Sequence, residues 1–257
     1  MRFVVFIKQV PDTMSVRTDE NGSLIREGVP SIIDPYCEQA LRVALEIRKD
    51  GDDVTAVTMG PEQAADSLRR CVELGADNGV LITGKDFAGA DTWATARTLA
   101  AFAQKRGCDT DVFLFGRQAI DGETGQVPYE FAQLMDVQQF AYVTELVRED
   151  EDVVAVQDYG SFVRRAKVPH GSVVSVGVVD PNGTIPTADG YLRASGFEPE
   201  RMDRVDVGLG LYSVGLKGSL TRIASTATVS PSRRNVKVEI TDPQKAADFI
   251  IREVRTL

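Results

Sequence analysis

Val112-Phe113-Leu114-Phe115-Gly116-Arg117-Gln118-Ala119-Ile120-Asp121-Gly122-Glu123-Thr124-Gly125-Gln126-Val127 decides how the rest of the chain is read. Four consecutive apolar residues, entered from Asp109-Thr110-Asp111, suit a short strand buried on both faces. Gly116 then stops the strand and lets backbone approach a ligand closely. Gly122-Glu123-Thr124-Gly125 leads into a helical pattern carried by Val127, Phe131 and Leu134. A loop between a strand and a helix offers free N–H groups and the positive end of the helix dipole, which suits a phosphate or pyrophosphate. An ordinary strand-to-helix turn is the alternative.

Outward from this stretch, strand and helix alternate. Phe3 to Ile7 reads as a buried strand, which places Lys8 and Gln9 at its carboxyl end, where ligands gather in open α/β sheets. Lys8 either meets a phosphate as a point charge or is a solvated loop lysine. Asn21-Gly22, between Val16-Arg17 and Leu24-Ile25-Arg26, signals a β-hairpin beside the main sheet. Asp34 suits the N-cap and Pro35 the first position of a helix whose buried stripe is Ala40, Leu41, Ala44, Leu45 and Ile47. Val54 to Met59, Gly60-Pro61 and a helix through Leu68 and Val72 repeat the strand–glycine–helix arrangement. Gly79 to Ile82 is a further strand, and Asp91-Thr92 opens a helix with Trp93 assigned to the core. The alternation predicts a parallel sheet covered on both faces, with right-handed crossovers.

After Met135 the pattern changes. Phe140–Leu146, Val153–Gln157, Ser161–Val168 and Val173–Val179 read as strands of an antiparallel extension. The acidic Glu145–Asp152 run reads as a solvated turn and Arg164-Arg165-Ala166-Lys167 as an exposed strand face. The loop from Asp180 to Pro199 carries Ile185, Tyr191 and Leu192 and is a candidate contact surface. Residues 200–235 lack the apolar density for a core of their own, and Val236–Ile240 reads as a strand before a capped final helix. The expected division is a nucleotide-binding domain over 1–198 and, over 199–257, an arm and helix that pack on a partner. The fold class is therefore α/β: a three-layer, mostly parallel, Rossmann-like sheet with an antiparallel extension and a C-terminal arm.

Composition removes several functions. With 29 basic and 38 acidic residues among 257, the net charge of −9 argues against nucleic acid and acidic membrane surfaces. One histidine and three cysteines without metal spacing argue against a metal site, and the cysteines read as reduced core thiols. The apolar run at Phe3–Ile7 is too short for a signal peptide or membrane span, so a cytoplasmic protein is expected. No activated nucleophile stands out, so no catalytic residue is assigned.

Five motifs occur in one order: Lys8-Gln9-Val10-Pro11-Asp12, Ile33-Asp34-Pro35 with Glu38 and Ala40, Met59-Gly60-Pro61, Leu74-Gly75-Ala76-Asp77 and Gly116-Arg117-Gln118-Ala119-Ile120-Asp121. Together they resemble the small (beta) subunit of electron-transfer flavoproteins over about residues 2–180, and again from Ser230-Pro231 to Ile240. The resemblance implies an electron carrier rather than a catalyst on its own, paired with a larger alpha subunit. It implies a bound FAD or AMP contacted near Phe6, Ile7 and Lys8, at Asp34, Pro35, Tyr36 and Cys37, at Met59, and at Gly116, Arg117, Gln118, Asp121, Gly122, Glu123, Thr124, Gly125, Gln126 and Val127. The loop from Ile120 to Val127, and Leu24 to Asp34, look closer to the electron-bifurcating members than to the AMP-holding ones, which favours FAD. NADH as electron donor follows from that closeness. A dehydrogenase or reductase would dock through the loop around Ile185. Thr184-Ile185-Pro186 matches the family's docking loop, but Thr187 to Ala194 replaces its usual continuation, so the common acyl-CoA dehydrogenase is not the expected partner. The competing readings are a universal-stress-type nucleotide regulator without a redox role, and a nucleotide-cleaving enzyme of similar fold.

Overall fold

The computed structural model describes residues 1–12, 17–18, 24–25, 30–108, 111–178, 185–222 and 242–255. In chain order the elements are β1 (Arg2–Phe6), β2 (Gln9–Pro11), β3 (Arg17–Thr18), β4 (Leu24–Ile25), β5 (Ser31–Ile33) and α1 (Pro35–Ile47). Then come β6 (Asp53–Met59), α2 (Ala65–Leu74), β7 (Asn78–Ile82), α3 (Thr92–Lys105), β8 (Val112–Gly116) and α4 (Val127–Met135). β9 (Gln139–Val143), β10 (Glu145–Glu149), β11 (Asp152–Asp158), β12 (Val163–Val168) and β13 (Val173–Val176) follow. The series ends with α5 (Ala188–Ser195), β14 (Glu200–Met202), α6 (Gly215–Gly218) and α7 (Pro243–Val254).

Seven strands form the central sheet in the order β14-β7-β6-β1-β8-β13-β9, and every pairing is parallel. Alternation along the strands builds the three layers. Phe3, Val5 and Ile7, with Val112 and Leu114, pack with Leu41 and Ala44 of α1 and Leu68 and Cys71 of α2. Val4 and Phe6, with Phe113 and Phe115, pack with Leu99 and Phe102 of α3 and Phe131 of α4. Asp34 and Asp91 cap α1 and α3 by accepting from Tyr36 N (2.9 Å) and Ala94 N (2.9 Å). Trp93, expected in the core, is only half-buried. All three cysteines are buried, and desolvation pushes the Cys37 thiol up to about 12.

One expectation about the later chain is corrected. β9 and β13 do not belong to the antiparallel extension; both are strands of the parallel sheet, β13 lying between β8 and β9. Only β10, β11 and β12 form the antiparallel sheet. That sheet supplies the crossover that a parallel β9–β13 pair requires and that a helix supplies elsewhere. β10 occupies most of the acidic run, with Leu146 buried; the basic stretch lies on β12 with Arg164, Arg165 and Lys167 exposed. Within the stretch expected as an arm, β14 pairs with β7 at the edge of the central sheet. Further on, the Asp91 carboxylate accepts from Leu220 N and Thr221 N, each at 2.8 Å. Contacts divide the chain into Met1–Arg222 and Ile223–Leu257, later than the expected break. β3 and β4 pair antiparallel, as the hairpin reading requires. Asn21-Gly22, Ser230-Pro231 and the strand expected at Val236–Ile240 lie outside the described residues.

Candidate functional site

From β1 the chain moves to β6 and β7 on one side, then returns to β8 on the other. The switch between β1 and β8 opens a crevice at their carboxyl ends, where open α/β sheets hold ligands. Phe6 is in register with Val57 and Phe115, so Phe6, Met59 and Gly116 end three adjacent strands, and Ile7 follows directly on the first.

Asp34 lies at the junction of these ends. Its N–H donates to Lys8 O (2.8 Å), its Oδ1 accepts from Tyr36 N (2.9 Å) and its Oδ2 accepts from Ile120 N (2.7 Å). The side chain is 0% exposed. Burial raises its pKa, and the hydrogen bonds from Ile120, Tyr36 and Cys37 oppose that rise. Gly116 sits so close to the start of α1 that a Cβ would stand 2.7 Å from the Tyr36 carbonyl carbon and 2.8 Å from Cys37 N. Arg117 lays its guanidinium over the Tyr36 ring at 4.8 Å, and its N–H donates to Val176 O (3.0 Å).

Beyond Ile120 the loop is exposed over Asp121, Gly122, Glu123 and Thr124. Glu123 (φ 53°) and Gly125 (φ 61°) take left-handed conformations. The amides of Gly122, Thr124, Gly125 and Gln126 donate to no partner among the described residues. Gln126 precedes α4 without a side-chain cap, and a Cβ at Gly122 would meet nothing within 4 Å. This loop has donors to spend and room around them, as a phosphate cradle needs. Lys8, half-exposed, pairs its Nζ with Asp121 Oδ1 at 2.6 Å. That pair offsets one carboxylate of the loop.

The residues expected to bind therefore separate by role. Ile7, Lys8, Asp34, Pro35, Tyr36, Cys37 and the loop Gly116–Val127 converge at the switch point, and Met59 ends the strand on the far side of β1. Phe6, Asp34 and Cys37 present buried side chains and support the site from beneath. Ile185 is no part of the cluster; it is 86% exposed and leads into α5, whose Tyr191 and Leu192 are also exposed. The tie from Asp34 to Ile120 was not read from the sequence, since a capping aspartate looks the same whether or not its second oxygen is spent. Glu130, likewise unread, accepts from Thr92 Oγ1 (3.1 Å) and has its pKa raised by burial. The Gly125 turn packs beside the Arg117 carbonyl, so the loop is folded back on itself.

The electron transfer flavoprotein domain matches residues 21–190. An electron transfer flavoprotein subunit beta from Thermoanaerobacterium thermosaccharolyticum is 39% identical over 240 residues, covering 91% of this chain and 90% of the relative. The caffeyl-CoA reductase-Etf complex subunit CarD from Acetobacterium woodii is 46% identical over 157 residues, 60% of each chain. Protein FixA from Azotobacter vinelandii is 34% identical over 269 residues, covering all of this chain and 95% of the relative. With four of the five motifs at the carboxyl ends of β1, β6 and β8 and the match covering most of the chain, the chain belongs to the electron transfer flavoprotein family, as a member of the beta-subunit type.

Proposed function

We propose that this chain is an electron-transfer subunit that holds the adenosine diphosphate half of an FAD at the switch point, in a heterodimer with an electron transfer flavoprotein alpha subunit. The observation that carries the reading is the set of amides at Gly122, Thr124, Gly125 and Gln126, without partners among the described residues, beside the Asp34 junction. Backbone N–H groups and the start of α4 would hold the phosphates, each contact contributing about 0.3–1 kcal/mol through the helix dipole alone. The flavin, when bound, supplies the redox chemistry; the protein's residues bind and orient it. Open space at Gly122 suits a diphosphate. The relatives named for reductases, CarD and the acryloyl-CoA reductase electron transfer subunit gamma of Anaerotignum propionicum, support coupling to a reductase; flavin-based bifurcation with NADH as donor is part of the same proposal and rests on the loop resemblance. No helix among the described residues is long and apolar enough to cross a membrane.

Flavin counting tests the ligand. The heterodimer is purified, its nucleotides are extracted with acid and quantified. Two FAD per heterodimer and no AMP is the expected result; one FAD with one AMP overturns FAD in this subunit. Gly122→Val is expected to lower nucleotide content about tenfold with the melting temperature unchanged, a loss of about 1.4 kcal/mol of binding. Full content in that variant would move the phosphate site elsewhere.

Ile185, with Tyr191 and Leu192, is proposed to dock the partner dehydrogenase or reductase. α5 is seated on α2 through Gly190, where a Cβ would collide with the Glu73 carbonyl oxygen. Arg193 donates to Ala76 O at 3.2 Å and holds the helix so that its apolar residues face outward. Ile185→Asp is expected to raise the Michaelis constant for the partner protein tenfold or more, as loss of a central anchor of about 2 kcal/mol does. Unchanged partner kinetics would remove Ile185 from the interface.

A further inference from the structure

We propose that Asp34 is a positioning residue that sets the conformation of the nucleotide loop by locking Ile120 to the start of α1, and that it does not itself touch the nucleotide. The proposal rests on the reading of Gly122–Gln126 as the phosphate cradle. Three segments meet at this residue: β1 through Lys8 O, α1 through Tyr36 N and the loop through Ile120 N. Both carboxylate oxygens are spent on backbone amides, and no part of the side chain is exposed, so a ligand in the crevice reaches the residue only through the loop.

Ile120 lies two residues before the first amide of the cradle, and the Ala119 carbonyl accepts from Glu123 N at 2.8 Å. Fixing Ile120 therefore fixes the turn that aims the amides of Gly122, Thr124 and Gly125. Nearby contacts reinforce the lock without replacing it. The Lys8–Asp121 pair has side chains 47% and 37% exposed, and an exposed ion pair holds a loop weakly. Arg117 over Tyr36 secures the loop only at its beginning. A carboxylate accepting from an amide in a buried position is the strongest tie in the group.

Substitutions separate the two duties of the side chain. A serine at 34 still caps α1, because its hydroxyl accepts from the first-turn amides as aspartate does, but one short oxygen has nothing left for Ile120. An asparagine has one acceptor for two donors, so one of the two amides must lose its partner. Asp34→Ser and Asp34→Asn heterodimers are compared with the parent by amide hydrogen exchange over 34–38 and 117–126, by nucleotide dissociation constant, and by exchange of the nucleotide-stripped protein. The expected result for Asp34→Ser is protected α1 amides, Ile120 exchanging about tenfold or more faster with and without nucleotide, and nucleotide affinity down about tenfold. In Asp34→Asn, release of either Tyr36 or Ile120 is expected, with affinity following Ile120. Ile120 protected as in the parent in both variants overturns the lock. Faster Ile120 exchange with parental affinity overturns its role in binding. If affinity holds in Gly122→Val too, the cradle itself has been misplaced, which distinguishes failure of the site from failure of the lock.

Discussion

Alanine in place of Gly116 is expected to strip the protein of nucleotide and to lower its melting temperature by roughly 6–12 °C, from a loss of about 3 kcal/mol. The cause is backbone against backbone. The added carbon would stand 2.7 Å from both the carbonyl carbon and the Cβ of Tyr36, and 2.8 Å from Cys37 N. Real side chains do not tolerate such contacts, and neither neighbour is the far end of a flexible chain that can swing away. β8 or α1 must shift, and both carry the site. Displacing α1 stretches the Asp34–Ile120 bond of 2.7 Å and moves Tyr36 from beneath Arg117. Gly122→Ala is the control for the melting temperature alone, since a Cβ there meets no protein atom within 4 Å. Thermal melts and acid extraction of the two variants check this. A Gly116→Ala protein that melts within 2 °C of the parent, with nucleotide intact, would contradict the close approach.

The parallel half of the fold was legible because local signals agreed with one another. At α1 the N-cap aspartate, the proline and the 3.6-residue stripe all name the same helix, and Phe3 to Ile7 is an uninterrupted apolar run. β9 and β13 were misread because the usual cue for a parallel pair, an intervening helix, is replaced by a small antiparallel sheet. The information was present in part. Val173-Val174-Ser175-Val176 is buried at every position, the mark of a strand covered on both faces, whereas Val163–Val168 is mostly exposed, the mark of an edge. β14 offered no cue at all: three residues, two of them exposed, become a strand only because β7 presents a free edge.

The site was legible as a region but not as a mechanism of assembly. Strand ends and helix starts can be placed from periodicity, so Lys8, Asp34 and Gly116–Val127 were brought together correctly. Pairings across 86 residues, as between Asp34 and Ile120, depend on tertiary placement that no local pattern encodes. Lys8 shows the same limit. The sequence places Lys8 at the end of the first strand but does not show that its ammonium pairs with Asp121 of the loop at 2.6 Å.

Phe6→Ala is expected to cost about 3–5 kcal/mol of stability while leaving the nucleotide affinity of the folded fraction within about threefold of the parent. Phe6 is the last residue of β1, directly beneath the crevice, and a side chain in that place could serve either the ligand or the core. Its surroundings decide for the core. The ring stacks on Phe115 at 4.5 Å, lies tilted to Phe131 at 5.2 Å and meets Phe102 edge-on at 6.5 Å. It is 4% exposed, so what it presents to the crevice is backbone. Removing it leaves a cavity shared by β1, β8, α3 and α4, and aromatic pairs of this geometry add about 0.5–1.5 kcal/mol each beyond the buried area. For a chain of this size the melting temperature should fall by roughly 6–20 °C. Phe6→Leu refills most of the volume and should recover more than half of the loss. Urea denaturation gives the first quantity, and nucleotide titration below the transition gives the second. Loss of nucleotide with stability unchanged would mean that the ring faces the ligand after all, and the aromatic cluster would have to be redrawn without it.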